Sequence, residues 1–347
     1  MLRNITLKLI EKKFDTENSS ILNFSFDADI KEVVCGQHIT LIKTLNNQEV
    51  RRSYSLLDSG AKGVFSIAVK RVEGGIFSNW ILDELEIGQN IDAIEPAGSF
   101  YNDSVGLDNE TILAITVGSG ITPIYAISEY ILETFPNKKL ILFYGNRTRR
   151  EVMLSDYLVN LKNRFKDRLL IYYFYSQVAS FTKQIDGRMD VEKILNIIKH
   201  NNISSVRDCF LCGPTDLLRD FSVGLKDNFE GIKLHQETYH ADTIPILPVN
   251  ANITKNSNIT AIINGSLYKI NNIDPSITIL DNLINKSINV DYSCKSGICS
   301  ACKCKIIEGK VKNVEDFSLT DEDRQQKIIL SCCSFPDSNN LVISFDL

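Results

Sequence analysis

The strongest constraint on this chain lies near its end. Cys294, Cys299 and Cys302 follow at the spacing C-x4-C-x2-C, and Cys332 comes after a further gap. Three thiols in one short loop do not pack as an ordinary apolar cluster; the backbone has to wrap around something that thiols bind. The chain holds nine cysteines among 347 residues, and Cys304 and Cys333 join the same crowded tail. A small secreted scaffold instead spreads its cysteines through a short chain as a disulfide framework. A thiol-rich tail on a long chain reads first as a metal or cluster site.

The spacing is that of [2Fe–2S] sites, in which four thiolates surround two irons and the last comes from a distant element. Small residues let the chain approach closely, and here Ser296, Gly297, Ser300 and Ala301 fill the loop. The competing reading is zinc, because Cys299-x2-Cys302 alone would suit a zinc knuckle and Cys304 supplies another thiol. Zinc sites more often join two compact cysteine pairs. Leu330-Ser331-Cys332 supplies the fourth ligand, with Cys333 as the alternative; Cys304, in the strand-like run CKCKIIEG, reads as a buried packing residue. Lys295, Lys303, Lys305, Lys310 and Lys312 surround the site. They form either a solvated face or a docking surface for an acidic partner.

Upstream, the chain changes rhythm twice. To about residue 106, short alternating runs such as HITLIKTL and GVFSIAVKRV are punctuated by turn residues, which predicts an antiparallel β-barrel. Residues 107–240 alternate apolar runs with helix-period segments at 121–135, 151–165, 191–199 and 216–229, which predicts an α/β domain with a parallel sheet. Residues 241–257 read as a linker, and 258–347 as a small α+β domain with helices near 278–285 and from Asp321, Thr320 being its N-cap. The net charge of −5 excludes a generally basic nucleic-acid binder. The N-terminal MLRNITLKLIEKKFD has no apolar leader core. The apolar stretch from Thr111 to Leu132 carries Gly118, Gly120, Pro123 and Glu129, so it reads as strand, turn and helix rather than a membrane span. The expected compartment is the cytoplasm, where thiols stay reduced.

Four short motifs precede the cysteines. Arg52-Ser53-Tyr54-Ser55 lies on a barrel strand shortly after Gly36-Gln37-His38. Gly74-Gly75-Ile76-Phe77-Ser78 opens a helix, Gly118-Ser119-Gly120-Ile121-Thr122-Pro123 follows the first parallel strand, and Cys212-Gly213-Pro214 follows the fourth. The glycine-rich loop departs from G-x-G-x-x-G, with Pro123 in place of the third glycine. In this order the motifs resemble the ferredoxin–NADP reductase family. The barrel, nucleotide domain and C-terminal β-grasp ferredoxin are arranged as in its oxygenase-reductase subgroup. The resemblance covers nearly the whole chain.

The resemblance implies FAD in the barrel. Arg52 would meet the pyrophosphate, Ser53 would sit in the same strand, Tyr54 would face the isoalloxazine ring and Ser55 the flavin N5. Gly74, Gly75 and Ser78 would bring backbone N–H groups and a helix N-terminus to the phosphates. It places Gly118, Gly120, Thr122, Cys212, Gly213 and Pro214 around the nicotinamide, with Glu237 and Tyr239 as a closing acid–aromatic pair. Ser55, Thr122, Cys212 and Glu237 are thus the catalytic candidates. Arg147 and Arg149 follow the second parallel strand with no acid before Glu151, which favours NADPH over NADH. The implied function is electron transfer from NADPH through FAD and the [2Fe–2S] cluster to a terminal oxygenase or similar acceptor protein. Two other readings remain: a stand-alone flavin oxidoreductase with the cluster as internal relay, and a cluster- or zinc-bearing redox sensor without activity.

Overall fold

A computed structural model describes the chain apart from residues 1–2, 28–29, 31–32, 61–62, 102–110, 178–184, 204, 239–256, 296, 298, 314–318 and 320, and the side chains of 185, 186 and 321. The expected linker and the boundary at 106 therefore lie almost wholly outside the described residues, as do Tyr239 and Thr320. By its contacts the chain forms two compact units, Asn4–Tyr239 and His240–Leu347 with Met1–Arg3.

Alternation dictates the first layer. The strands are β1 (Asn4–Thr16), β2 (Ser19–Phe26), β3 (His38–Leu45), β4 (Gln48–Ser55), β5 (Val64–Lys70) and β6 (Asn90–Ala97), with helix α1 (Ile76–Asp83) between the last two. Leu7, Leu9, Leu22, Phe24, Ile39 and Leu41 point inward and are fully buried, as period-two side-chain alternation requires. The sheet is antiparallel in the order β4-β3-β6-β1-β2-β5. Its two edges meet where Leu56 bridges Ile67 and the Leu57 N–H donates to Ser66 O at 2.9 Å, so the sheet curls into a barrel. Asn46 and Asn47, with φ of 51° and 61°, make the two-residue turn from β3 to β4, the mirror-image turn that matches strand twist.

The second layer contains β7 (Thr111–Val117), α2 (Ile121–Thr134), β8 (Lys139–Asn146), α3 (Ser155–Phe165), β9 (Leu169–Tyr175), β10 (Ile185–Asp186), α4 (Val191–His200), β11 (Val206–Gly213), α5 (Thr215–Asn228) and β12 (Lys233–Thr238). All its strands are parallel, in the order β10-β9-β8-β7-β11-β12. One sheet face packs on α2 and α3 through Ile121, Ile124 and Leu158, the other on α4 and α5 through Ile194, Leu218 and Phe221. The first of these cores also takes in Ile21, Leu57 and Ala68 from the barrel. Barrel and nucleotide layer thus share this core, while the barrel keeps a separate one around Leu7, Phe24 and Ile39.

Two details depart from the sequence reading. The helix expected from Glu151 starts at Ser155, because Leu154 adopts a left-handed conformation and its N–H is held by Asp15 Oδ1 of the barrel at 2.9 Å. The short strand β10, beside β9, carries too little pattern to be read from sequence. The stretch from Thr111 to Leu132 resolves into β7, a turn and α2, and no helix among the described residues is long and apolar enough to cross a membrane.

The second unit holds β13 (Asn258–Ile263), β14 (Ser266–Ile270), α6 (Ile279–Asn285), β15 (Lys303–Glu308), β16 (Val311–Asn313), α7 (Asp321–Gln325), β17 (Ile328–Leu330), β18 (Ser334–Pro336) and β19 (Asn340–Ser344). Its mixed sheet runs β14-β13-β19-β15-β17, with β13 and β19 parallel at its centre. Helix α6 lays Ile279, Leu280 and Leu283 against Ile259, Ala261 and Ile343. Its start is fixed by an N-cap: Thr278 Oγ1 accepts the Asp281 N–H at 3.1 Å and donates to the Asp281 carboxylate at 2.9 Å.

Candidate functional site

In the barrel, strand β4 presents the Arg52–Ser55 motif beside the turn that opens α1. The Tyr54 ring lies 6.3 Å from that of Phe77 on α1, so the motifs containing Tyr54 and Gly74-Gly75 meet in space. Gly74 has a φ of +71° and nothing within 4 Å of where a Cβ would sit. The backbone there is open, in a left-handed conformation that favours glycine. Ser78 braces the turn from below: its Oγ accepts the Val72 N–H at 3.2 Å, and a Cβ on Gly75 would come 2.7 Å from it. Ser53 is tied to Thr40 by a 2.8 Å hydroxyl pair, and Arg52 donates to Arg51 O. Opposite Ser55 in the ladder stands His38, which the sequence motif named without a role. It is buried, its Nε2 meets no partner among the described residues, and burial drives its pKa down to about 4, so the ring is neutral.

The nucleotide layer gathers its motifs at the crevice between β7 and β11, where the order of its parallel strands reverses. Ligands bind such sheets at that point, beyond the strand C-termini. Gly118-Ser119-Gly120 turns from β7 into α2, and Cys212-Gly213 ends the neighbouring β11. Thr116 Oγ1 donates to Cys212 O at 2.9 Å, and Thr122 Oγ1 donates to Ser119 O at 3.0 Å. Gly120 sits so close that a Cβ would fall 2.6 Å from Thr116 Oγ1 and 2.7 Å from Cys212 O. Tyr144, fully buried on β8, donates to Gly118 O at 3.0 Å and accepts the Met153 N–H at 3.2 Å. The sequence reading passed over Thr116 and Tyr144, which look like ordinary strand residues until the crossing of strands is known.

Cys212 pairs in register with Glu237 on β12. Burial, with the Glu237 charge nearby, pushes the Cys212 thiol well above its ordinary pKa. It is therefore a neutral, compact side chain rather than a thiolate nucleophile. At the end of β8, Arg147 and Arg149 are exposed, while the first acid, Glu151, turns to Thr148 and lies 3.7 Å from Lys70 of the barrel.

In the second unit Cys294 and Cys299 face each other. The Cys294 N–H donates to Cys299 Sγ, and the Cys299 N–H to Cys294 Sγ, both at 3.4 Å. Positive φ values at Lys295, Gly297 and Ser300 fold the loop tightly around these sulfurs. A hydrogen bond to Cys294 and burial push the Cys299 thiol up in pKa; a hydrogen bond to Cys332 and burial do the same for Cys302. Cys294 and Cys299 face each other through these hydrogen bonds and Cys302 lies beside Cys332, a set of four thiols that suits the four thiolates of a [2Fe–2S] cluster. Cys304 is buried in β15, and all nine cysteines are free of disulfides. Of the surrounding lysines, Lys303 is paired with Asp323 at 2.8 Å and Lys295 with Asp281 at 3.2 Å. Two members of the expected basic surface are therefore already neutralised.

Comparison with known proteins agrees with this geometry. Residues 6–101 match the oxidoreductase FAD-binding domain, 115–222 the oxidoreductase NAD-binding domain and 261–337 the 2Fe-2S iron-sulfur cluster binding domain. The chain is 29% identical to one of the subunits of the 1,2-phenylacetyl-CoA epoxidase of Escherichia coli, over 98% of this chain and 97% of that one. It is 28% identical to the ferredoxin reductase component of 3-ketosteroid-9-alpha-monooxygenase of Rhodococcus rhodochrous, covering 89% and 87%. Among solved structures, phthalate dioxygenase reductase shares the fold, with a TM-score of 0.60, 21% identity and coverage of 99% and 98%.

Proposed function

We propose that this chain, whose matched domains are those of an FAD- and NAD-binding oxidoreductase followed by a [2Fe–2S] domain, supplies single electrons from NADPH to a terminal oxygenase in the cytoplasm. The observation that carries this reading is the convergence of the Gly120 and Cys212 turns at the sheet crevice, in one compact unit with the Arg52–Ser55 strand. Phenylacetyl-CoA epoxidase, the complex to which the Escherichia coli relative belongs by name, is the first acceptor to try.

FAD and the cluster, when bound, supply the chemistry of turning one hydride into two single electrons. The chain's residues supply position. Gly118 and Gly120 let the backbone approach the dinucleotide, and the Cys212 and Thr116 contact fixes the far wall. Thr122, whose proton is engaged by Ser119 O, offers its oxygen as an acceptor for the nicotinamide carboxamide. Arg52 and the Gly74-Gly75 turn would hold the flavin phosphates, and Tyr54 and Ser55 would orient its ring. Glu237, beside Cys212, closes the pocket and helps keep that thiol protonated. Cys294, Cys299, Cys302 and Cys332 would hold the cluster.

Anaerobic addition of NADPH is expected to bleach the flavin absorption and then develop the reduced-cluster EPR signal. Adding an accepting oxygenase should discharge that signal. Flavin reduction with no discharge to any oxygenase would favour a stand-alone enzyme. Exposed Arg147 and Arg149 supply the preference for a 2′-phosphate. Replacing both with alanine is expected to raise the KM for NADPH about tenfold or more while leaving that for NADH within about twofold. Equal changes in both would remove the phosphate assignment.

A further inference from the structure

Cys333 has no part in the site as described so far, yet its surroundings are those of a ligand. Its Sγ lies 3.7 Å from Cys332 Sγ. That is close to the sulfur–sulfur edge of a metal–thiolate tetrahedron, roughly 3.8 Å for bonds of about 2.3 Å. On its other side the thiol abuts Gly297, where a Cβ would come 2.6 Å from Cys333 Sγ. Gly297 belongs to the loop that carries Cys294, Cys299 and Cys302, so the thiol touches both halves of the cysteine constellation. It is 2% exposed, as is Cys332. The short turn around the two residues is fixed: the Cys333 N–H donates to Leu330 O at 2.9 Å, and the Ser331 N–H to Cys302 O at 3.1 Å.

We propose that Cys333 is a reserve fourth ligand, able to take the place of Cys332 on the iron that Cys302 binds. The exchange is balanced. The Cys333 thiol loses its proton and forms an iron–sulfur bond, the bond to Cys332 breaks, and Cys332 takes up a proton; no electron is gained or lost. Gly297 makes room for this, since any larger residue there would occupy the space of the Cys333 sulfur. The inference rests on Cys294, Cys299, Cys302 and Cys332 holding a [2Fe–2S] cluster in the unsubstituted chain.

The test uses the full chain purified anaerobically, with Cys332→Ala, Cys333→Ala and the double replacement. Iron and acid-labile sulfide per flavin, visible absorption and the EPR of the reduced protein are measured. Far-UV circular dichroism and thermal unfolding report that each variant is folded, and flavin content and NADPH–ferricyanide turnover report the state of the other unit. Cys333→Ala is expected to match the wild type. Cys332→Ala should keep its cluster but with shifted g values, and the double variant should lose it. A Cys332→Ala protein as empty of iron as the double variant would overturn the proposal. So would an unchanged EPR spectrum in Cys332→Ala with loss of cluster in Cys333→Ala, which would make Cys333 the ordinary ligand. Wild-type protein with flavin but no cluster would instead defeat the reading on which the inference rests.

Discussion

Cys302→Ser is expected to abolish the iron–sulfur absorption and EPR signal while NADPH–ferricyanide turnover stays within about twofold of wild type, as for sites without shared partners. Cys302 is hydrogen-bonded to Cys332 through its side chain and accepts the Ser331 N–H through its carbonyl. Serine keeps the backbone contact and removes the thiolate, so the cluster loses one of its four thiolates. The FAD and nicotinamide motifs lie in the other compact unit. Electron delivery to an oxygenase should therefore fail although flavin reduction survives. Loss of ferricyanide turnover along with the cluster would show that the units do not work independently. Retention of the cluster would remove Cys302 from the ligand set.

Gly120→Ala is expected to slow flavin reduction by NADPH about 100-fold, since misplacement by an ångström at a reacting centre costs that much. The added methyl would meet Thr116 Oγ1 and Cys212 O, which are themselves joined by a hydrogen bond. Neither can yield without opening the crevice between β7 and β11. Overpacking of this kind also destabilises by about 1–3 kcal/mol. FAD content should not change, because Gly120 lies on the nucleotide layer and not on the barrel strand carrying Arg52. Stopped-flow absorbance at saturating NADPH measures the effect. A rate within about threefold of wild type would mean that the turn does not seat the nicotinamide.

Much of this was legible because the decisive signals are local. The cysteine spacing, the alternation of the barrel strands and the β–α rhythm each depend on residues close in sequence. Gly120 could be read as a close-approach glycine from its loop alone. What it approaches could not, since Thr116 and Cys212 come together only when β11 is laid beside β7. Tyr144 and Asp15 escaped for the same reason: each acts between strands or between layers, and nothing beside it in sequence marks its partner. The lysines illustrate the converse. Their crowding was visible, but the acids that neutralise Lys295 and Lys303 lie on α6 and α7.

The apolar interior shared by Ile21, Leu57 and Ala68 with Ile121 and Ile124 has a practical meaning for chimaeras. A nucleotide layer borrowed from another reductase and joined after β6 would meet a barrel whose outer surface was shaped for this α2. Both recombined halves would present mismatched hydrophobic faces. A graft that keeps residues 4–239 whole and exchanges only the tail carries its interior with it, so the natural place to rewire this chain toward a new acceptor lies beyond β12.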